Sequence, residues 1–428
     1  MINKRVLTYV MACAALLLLV AFVGTVAAQE PTLTPEQQLG KSIFFDTNLS
    51  INQNQSCATC HAPEWGWTGT LSDINAHGAV YEGSILGRFG DRKPPSAAYA
   101  TLSPIFGADK KGLFVGGNFW DGRATGEVLG NPAADQALGP FLNHVEQALP
   151  DSACVVYRVC EPVVPGDYPV AFEDVWGDEA CDIAWPADVE MTCATEGTTV
   201  PLSEADRTKS DMAYGQIGLS IATYEDSPAV NAFTSKYDYT FLGKTKLSKE
   251  EQRGYALFRG KAMCHRCHIS NSQGALFTDF TFDNLGVPKN PENPVYDVDP
   301  DFVDPGLGGF LMKAHYPEDV YTAEWGKHKV PTLRNVDLRP DAEDVKAYAH
   351  NGYFKSLEGI VHFYNTRDVL PECPGDYTEA EALAADCWPA PEVAENVNTD
   401  ELGDLGLTAE EEAAIVAFMK ALSDGFQP

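Results

Sequence analysis

Two short runs have the residue types and spacing to hold a redox centre: Cys57-Ala58-Thr59-Cys60-His61 and Cys264-His265-Arg266-Cys267-His268. Both read C-x-x-C-H. Thiols at this spacing can add to the two vinyl groups of one haem, while the adjoining imidazole reaches the iron from the proximal side. The motif therefore marks a c-type haem attachment site. The same cysteine spacing serves thioredoxin-like redox pairs and half zinc sites. Two copies, neither in a βαβ setting, in a chain with an export signal favour two covalently bound c-type haems. Cys57, Cys60 and His61 would hold the first, and Cys264, Cys267 and His268 the second.

The elements that must position these motifs also repeat. Leu33-Thr34-Pro35-Glu36-Gln37-Gln38-Leu39-Gly40, running on to Ile43-Phe44, precedes the first motif. Leu247-Ser248-Lys249-Glu250-Glu251-Gln252-Arg253-Gly254, running on to Leu257-Phe258, precedes the second. Each opens on Thr or Ser with Gln or Glu three residues later, the pattern of a capping box, and then shows apolar residues at helical spacing. Thr408 and Glu411 start a third such helix with a stripe of Ile415, Phe418, Met419 and Leu422, which should close the second haem domain. No convincing alternating strand run occurs. The expected class is mainly α: two cytochrome c-like haem domains, residues 29–240 and 241–428. A haem gives each a large apolar body to pack against.

A length of 428 residues suits two to three domains, and 44% hydrophobic with 21% charged residues excludes a disordered or fibrous chain. Thirty Lys+Arg against 61 Asp+Glu leave a formal charge of −31. Such a surface repels phosphate backbones and anionic lipid, so neither nucleic acid nor a polybasic membrane contact is expected. Residues 1–28 read as a signal peptide: Lys4 and Arg5, an apolar run from Val6 to Val23, then Val26-Ala27-Ala28 before Gln29. Cys13 belongs to that run. The run is nearly long enough to remain as an anchor, so a membrane-anchored or cell-surface form is the alternative to a periplasmic protein with no stable span after cleavage. Six further cysteines (Cys154, Cys160, Cys181, Cys193, Cys373 and Cys387) lie in Pro-, Gly- and acid-rich stretches near 150–205 and 370–400. In an exported chain they suggest three disulfides stapling surface insertions. Proximity favours Cys154–Cys160, Cys181–Cys193 and Cys373–Cys387 among the fifteen possible pairings.

With these motifs in order around Phe119-Trp120-Asp121-Gly122-Arg123, the chain resembles the bacterial di-haem cytochrome c peroxidase/MauG family over most of its mature length. Further matching pieces are Leu39-Gly40-Lys41 to Phe45-Asp46, Gln136 to Pro140, Phe282 to Pro288, Thr332-Leu333-Arg334-Asn335 and His350-Asn351-Gly352. The resemblance implies that the haem at His61 meets hydrogen peroxide and the haem at His268 relays electrons. It puts Trp120 between them as a relay, although a large aromatic also simply packs an interface. Cleaving the peroxide O–O bond needs a proton moved between its oxygens, and Glu146 falls where the family keeps its catalytic Glu. Gln136 would hydrogen-bond in the pocket and Pro140 would line it without competing for iron. In so acidic a chain a solvated Glu146 is the ordinary alternative. An insertion around Glu127–Asp135 interrupts the register between Trp120 and these residues.

Two axial positions separate the subtypes. His77, sixteen residues after His61, stands where gated peroxidases keep a His that caps the resting N-terminal haem; a solvent-facing loop His is the competing reading. Tyr364, seven residues after Leu357, takes the place where peroxidases present Met and MauG-type members present Tyr. A phenolate donor favours Fe(III) and higher states, whereas a thioether favours Fe(II). His362, Met312 and His315 are the alternative ligands. The family also binds Ca²⁺ between its haems, but Lys93 stands where its coordinating Asn belongs, and a cation there disfavours the ion. Lys93 could replace its charge.

The expected activity is a di-haem oxidoreductase that reduces hydrogen peroxide, drawing electrons from a small c-type cytochrome or cupredoxin. A MauG-type enzyme that oxidises side chains of a partner protein is the first alternative, and a non-catalytic di-haem electron carrier the second.

Overall fold

Helix α1, Pro35–Phe44, starts as its sequence demands. The Thr34 side chain accepts from the Gln37 amide, the Gln37 side chain accepts from the Thr34 amide, and Pro35 fills the first turn, where no amide donor is needed. The computed structural model describes residues 31–161 and 168–428; the expected leader, residues 1–28, lies outside them. After α1 come α2 (Pro132–Leu142), α3 (Ser152–Cys160), α4 (Tyr168–Trp176), α5 (Val189–Cys193) and α6 (Glu204–Glu225). The later part contributes α7 (Lys249–Arg259), α8 (Leu357–Thr366) and α9 (Ala409–Lys420), with shorter helical turns between. Ser248 with Glu251 and Thr408 with Glu411 form the expected capping boxes of α7 and α9. The described strands are two antiparallel ribbons, β1 (Gly107–Ala108) with β2 (Phe114–Val115) and β3 (Phe282–Asp283) with β4 (His328–Lys329). The class is mainly α.

The internal repeat has a packing reason. Helix α1 crosses α6, and α7 crosses α9, each at a glycine six residues after its N-cap. A Cβ on Gly40 would run into the Ser220 carbonyl, and one on Gly254 into the Ala414 carbonyl. Both crossings are thus main chain against main chain, closer than any other residue permits. Around the first lie Leu39, Ile43, Phe44, Ile217, Ile221 and Tyr224; around the second lie Phe258, Phe277, Ile415, Phe418 and Leu422. Leu33–Pro428 forms one compact unit containing both cores. No helix among the described residues is long and apolar enough to cross a membrane.

Three disulfides are present, as expected, but two pairings differ from expectation: Cys154–Cys193 and Cys160–Cys181, beside Cys373–Cys387. Helix α3 is the reason. Cys154 and Cys160 are both on it, and six residues at 1.5 Å each put them roughly 9 Å apart along a rigid axis. A disulfide requires Cα atoms within about 7 Å. Each cysteine of α3 therefore bonds a more distant one, with Cα–Cα distances of 5.4 and 5.3 Å, which pins α3 to the segment carrying α5.

Two outcomes are expected. Gly254→Ala lowers stability by roughly 1–3 kcal/mol in thermal unfolding, while Gly375→Ala, with nothing within 4 Å, leaves it unchanged. Unreduced protein cleaved after Arg158, which separates Cys154 from Cys160, and after the acidic residues such as Glu161, Glu179 and Glu190 that separate Cys160, Cys181 and Cys193, yields peptides joining Cys154 to Cys193 and Cys160 to Cys181 by mass spectrometry.

Candidate active site

Each C-x-x-C-H motif opens onto a cavity. Cys57 starts a single helical turn, Cys57–Cys60, closed when the His61 amide bonds the Cys57 carbonyl at 3.0 Å. In the second motif the His268 amide bonds the Cys264 carbonyl at 2.8 Å. His61 Nδ1 then lies 3.1 Å from the Trp67 carbonyl, and His268 Nδ1 2.7 Å from the Phe277 carbonyl. Trp67 and Phe277 both take left-handed backbone conformations, φ 63° and 53°, sparsely populated for aromatic residues and held here by packing. A ring whose Nδ1–H donates to a carbonyl keeps its Nε2 lone pair for a metal. Burial pushes His61 down to about 4 and His268 below its usual value, so both rings are neutral.

The donor sets fit a c-type haem in each cavity. In a chain whose six other described cysteines are all paired, Cys57, Cys60, Cys264 and Cys267 remain free thiols beside these imidazoles. Their burial raises all four thiols, Cys57 and Cys264 to about 12, which disfavours thiolate chemistry.

The N-terminal cavity also gathers Gln136, Pro140 and Glu146. Gln136 and Pro140 are four residues apart on α2 and share a face. The stretch expected as an insertion, Glu127–Asp135, runs into the first turn of α2, where the Asp135 carboxylate accepts from the Val128 and Leu129 amides at 3.3 and 2.9 Å and holds the preceding loop against the helix. Glu146 is held from both ends. Asn143 Nδ2 donates to its Oε2 at 2.9 Å, and its carbonyl accepts from the Ser84 amide at 2.7 Å. Burial raises its carboxyl above the usual range, against the Asn143 bond and the Arg123 charge. His77 is elsewhere. Its side chain is 61% exposed, its Nδ1 is 2.7 Å from the Asp73 carbonyl, and it does not line this cavity.

Tyr364, with Leu357, Ile360 and Val361 of the same helix, lines the C-terminal cavity with Cys264, Cys267 and His268. Burial raises its phenol well above the usual range. The other ligand candidates lie outside this cavity: Met312 is 42% exposed, His315 is exposed beyond the end of its helix, and His362 Nδ1 is 3.1 Å from Glu412. Trp120, 8% exposed, lines both cavities, and its Nε1 donates to the Lys93 carbonyl at 2.8 Å.

Around Trp120 the structure gathers Lys93 and His350, already singled out, with other residues that the motifs did not flag. Lys93 Nζ donates to Thr68 Oγ1 at 2.8 Å and the Pro94 carbonyl at 3.0 Å. Lys346 Nζ fills a cage of three carbonyls, Trp65, Asn335 and Leu338, at 2.9, 2.7 and 2.9 Å. Lys329 lines both cavities. Glu225, at the end of α6, is 3% exposed, lines the N-terminal cavity, has no partner for Oε2, and is pushed up to about 8 by burial. Its one sequence signal is its place four residues after Ile221, which any solvated helix position shares. His328 and His350 stack at 3.6 Å beside Asp304, itself gripped by Arg92 at 2.6 and 2.7 Å.

Residues 34–246 match the family model described as di-haem cytochrome c peroxidase. The chain is 32% identical to methylamine utilization protein MauG of Paracoccus denitrificans, covering 97% of this chain and 95% of that protein. It is 28% identical to cytochrome-c peroxidase IdrP1 of Denitromonas iodatirespirans, over 93% of this chain and 84% of that one. The fold superposes on the diheme peroxidase BthA of Burkholderia thailandensis with TM-score 0.70 at 28% identity, covering 94% of this chain and 89% of that one. With two cavities each walled by a C-x-x-C-H motif and joined by a tryptophan, this chain belongs to the di-haem cytochrome c peroxidase/MauG family of oxidoreductases and carries two c-type haems.

Proposed function

We propose that this protein is an exported enzyme that reduces hydrogen peroxide at the haem on His61, with electrons entering through the haem on His268. In this reading the chain divides near residue 240 into a peroxidatic and an electron-transfer half. The observation that carries it is the convergence of Gln136, Pro140 and Glu146 on the cavity that holds Cys57, Cys60 and His61. When bound, the first haem supplies the iron that meets peroxide. Glu146 moves the proton from one peroxide oxygen to the other, and Asn143 aims its carboxylate. Gln136 offers an amide to the incoming peroxide. Pro140, which has no donor atom in its side chain, keeps its face of the cavity from competing for the iron. With His77 facing solvent, the ferric enzyme is ready without prior reduction.

The electron source distinguishes two readings. A small c-type cytochrome or cupredoxin would make it a peroxidase. Tyr364 beside His268 favours the other, in which side chains of a partner protein are oxidised, because a phenol at the second iron stabilises its oxidised states. Lys93 stands where the family's calcium-coordinating Asn is expected, so we assign no calcium.

Mixing peroxide with ferric protein in a stopped-flow instrument should bleach the haem absorption at once; reaction only after half-reduction would restore His77 as a cap, and silence in both states would leave an electron carrier. Glu146→Gln is expected to slow that reaction by about 10²–10⁴-fold. As a base Glu146 must be ionised, and burial raises its pKa. The rate should therefore fall with decreasing pH at a higher pH than a free glutamate gives, a limb absent in the variant. Tyr364→Met should raise the potential of the second haem in spectroelectrochemistry. Elemental analysis should find no stoichiometric calcium.

A further inference from the structure

Helix α8 carries Tyr364 to the C-terminal cavity, and both of its ends are held by residues on or next to the loop that the Cys373–Cys387 disulfide closes. At its start, the buried Glu379 lies against the first turn. Glu379 Oε2 accepts from the Lys355 amide at 2.6 Å, and its Oε1 is 3.5 Å from the hydroxyl of Ser356, the N-cap. A hydroxyl that points its hydrogen at Glu379 keeps its lone pairs for the Gly359 amide, which donates to it at 2.9 Å. The carboxyl group fits only because residue 359 is glycine: a Cβ there would run into Glu379 Oε1.

At the other end stands Trp388, the residue after Cys387 and also buried. Its Nε1 donates to Thr366 Oγ1 at 3.0 Å, and its ring packs edge-on against Phe363 with centroids 5.1 Å apart. The loop is tied where it leaves and rejoins the chain. The Cys373 amide donates to the Trp388 carbonyl at 2.9 Å, and the Trp388 amide to the Pro371 carbonyl at 3.1 Å. Midway, the Tyr353 hydroxyl donates to the Tyr377 carbonyl at 3.1 Å. We propose that this stapled loop is a positioning device for the second haem: by gripping α8 at Glu379 and Trp388, it sets where the Tyr364 phenol stands in the cavity.

The inference rests on the reading of Tyr364 as the phenol at the second iron. A ligating group must be held within about 0.5 Å and 10–20° of its bonding geometry. Helix α9 holds α8 from the side, through Glu412 bonded to His362 and Asn365. Sliding along the helix axis, or turning about it, is resisted at the two ends. Phe363 precedes Tyr364 and is fully buried against Trp388. Any turn of α8 that moves the phenol must drag Phe363 across the indole in a close-packed interior. The grip at Glu379 does not depend on charge. Burial pushes Glu379 up to about 7, and a neutral carboxyl still offers its carbonyl oxygen to the Lys355 amide, as a glutamine would.

Glu379→Ala, Gly359→Ala and Trp388→Phe, each confirmed by mass to carry two haems, are compared with the parent by electron paramagnetic resonance of the ferric protein and by spectroelectrochemistry. The first haem is the internal control, because a general failure to fold would disturb it too. The expected result is a shifted or broadened signal and a moved potential for the second haem in all three, with the first haem unchanged and parental values in Glu379→Gln. Gly359→Ala isolates the carboxyl group, since alanine favours a helix over glycine and a change there comes from displacing Glu379. Parental second-haem values in all three variants overturn the inference. A Glu379→Gln variant as altered as Glu379→Ala also overturns it, by tracing the effect to charge. Tyr364→Phe tests the underlying reading separately. If it leaves the second-haem signal unchanged, the phenol is not at the iron, and the ligand reading falls together with the inference. If it changes that signal while the other variants do not, the inference alone fails.

Discussion

The architecture depends on two places where one helix backbone lies directly against another. Gly40 on Ser220 and Gly254 on Ala414 are contacts in which a single methyl group has no room. Each crossing brings two helices into backbone contact beside a C-x-x-C-H turn. Phe44 and Tyr224 pack edge-on at the first crossing, Phe258 and Phe418 at the second. Residues at these crossings wall the cavities, Phe44 and Ile221 the first, Phe258 and Ile415 the second, and the Trp67 and Phe277 carbonyls meet the His61 and His268 imidazoles beside them.

Much of this was legible in the sequence because it rests on local rules. Capping boxes at Thr34, Ser248 and Thr408 fix helix starts within a turn. C-x-x-C-H carries its chemistry in five residues, and Gln136 and Pro140, one turn apart on α2, face the cavity that Glu146 also lines. The disulfide pairing failed for an equally physical reason. Nearness in sequence predicts bonding in a flexible loop, and Cys154 and Cys160 are on a helix that holds them apart.

The groups around Trp120 were not legible, because burial is a property of the fold. Lys329 and Lys346 look like ordinary surface lysines in a chain with 61 acidic residues, and nothing local shows that no carboxylate reaches them. Glu225 is hidden in the same way. His77, by contrast, had a position suggested by family spacing, and its side chain turns outward onto the Asp73 carbonyl. A spacing fixes where the backbone passes but leaves open which way a loop residue points.

The nested disulfides also set an order of events. Cys154 and Cys160 emerge before Cys181 and Cys193 in a chain delivered N-terminus first, so oxidation as the cysteines appear would join the wrong pair. The native bonds, one loop enclosed within another, require α3 to form before its thiols are oxidised, or a shuffling catalyst to repair the early bond. Where oxidation outpaces the folding of α3, the native bonds are reached only with disulfide isomerase activity in the same compartment.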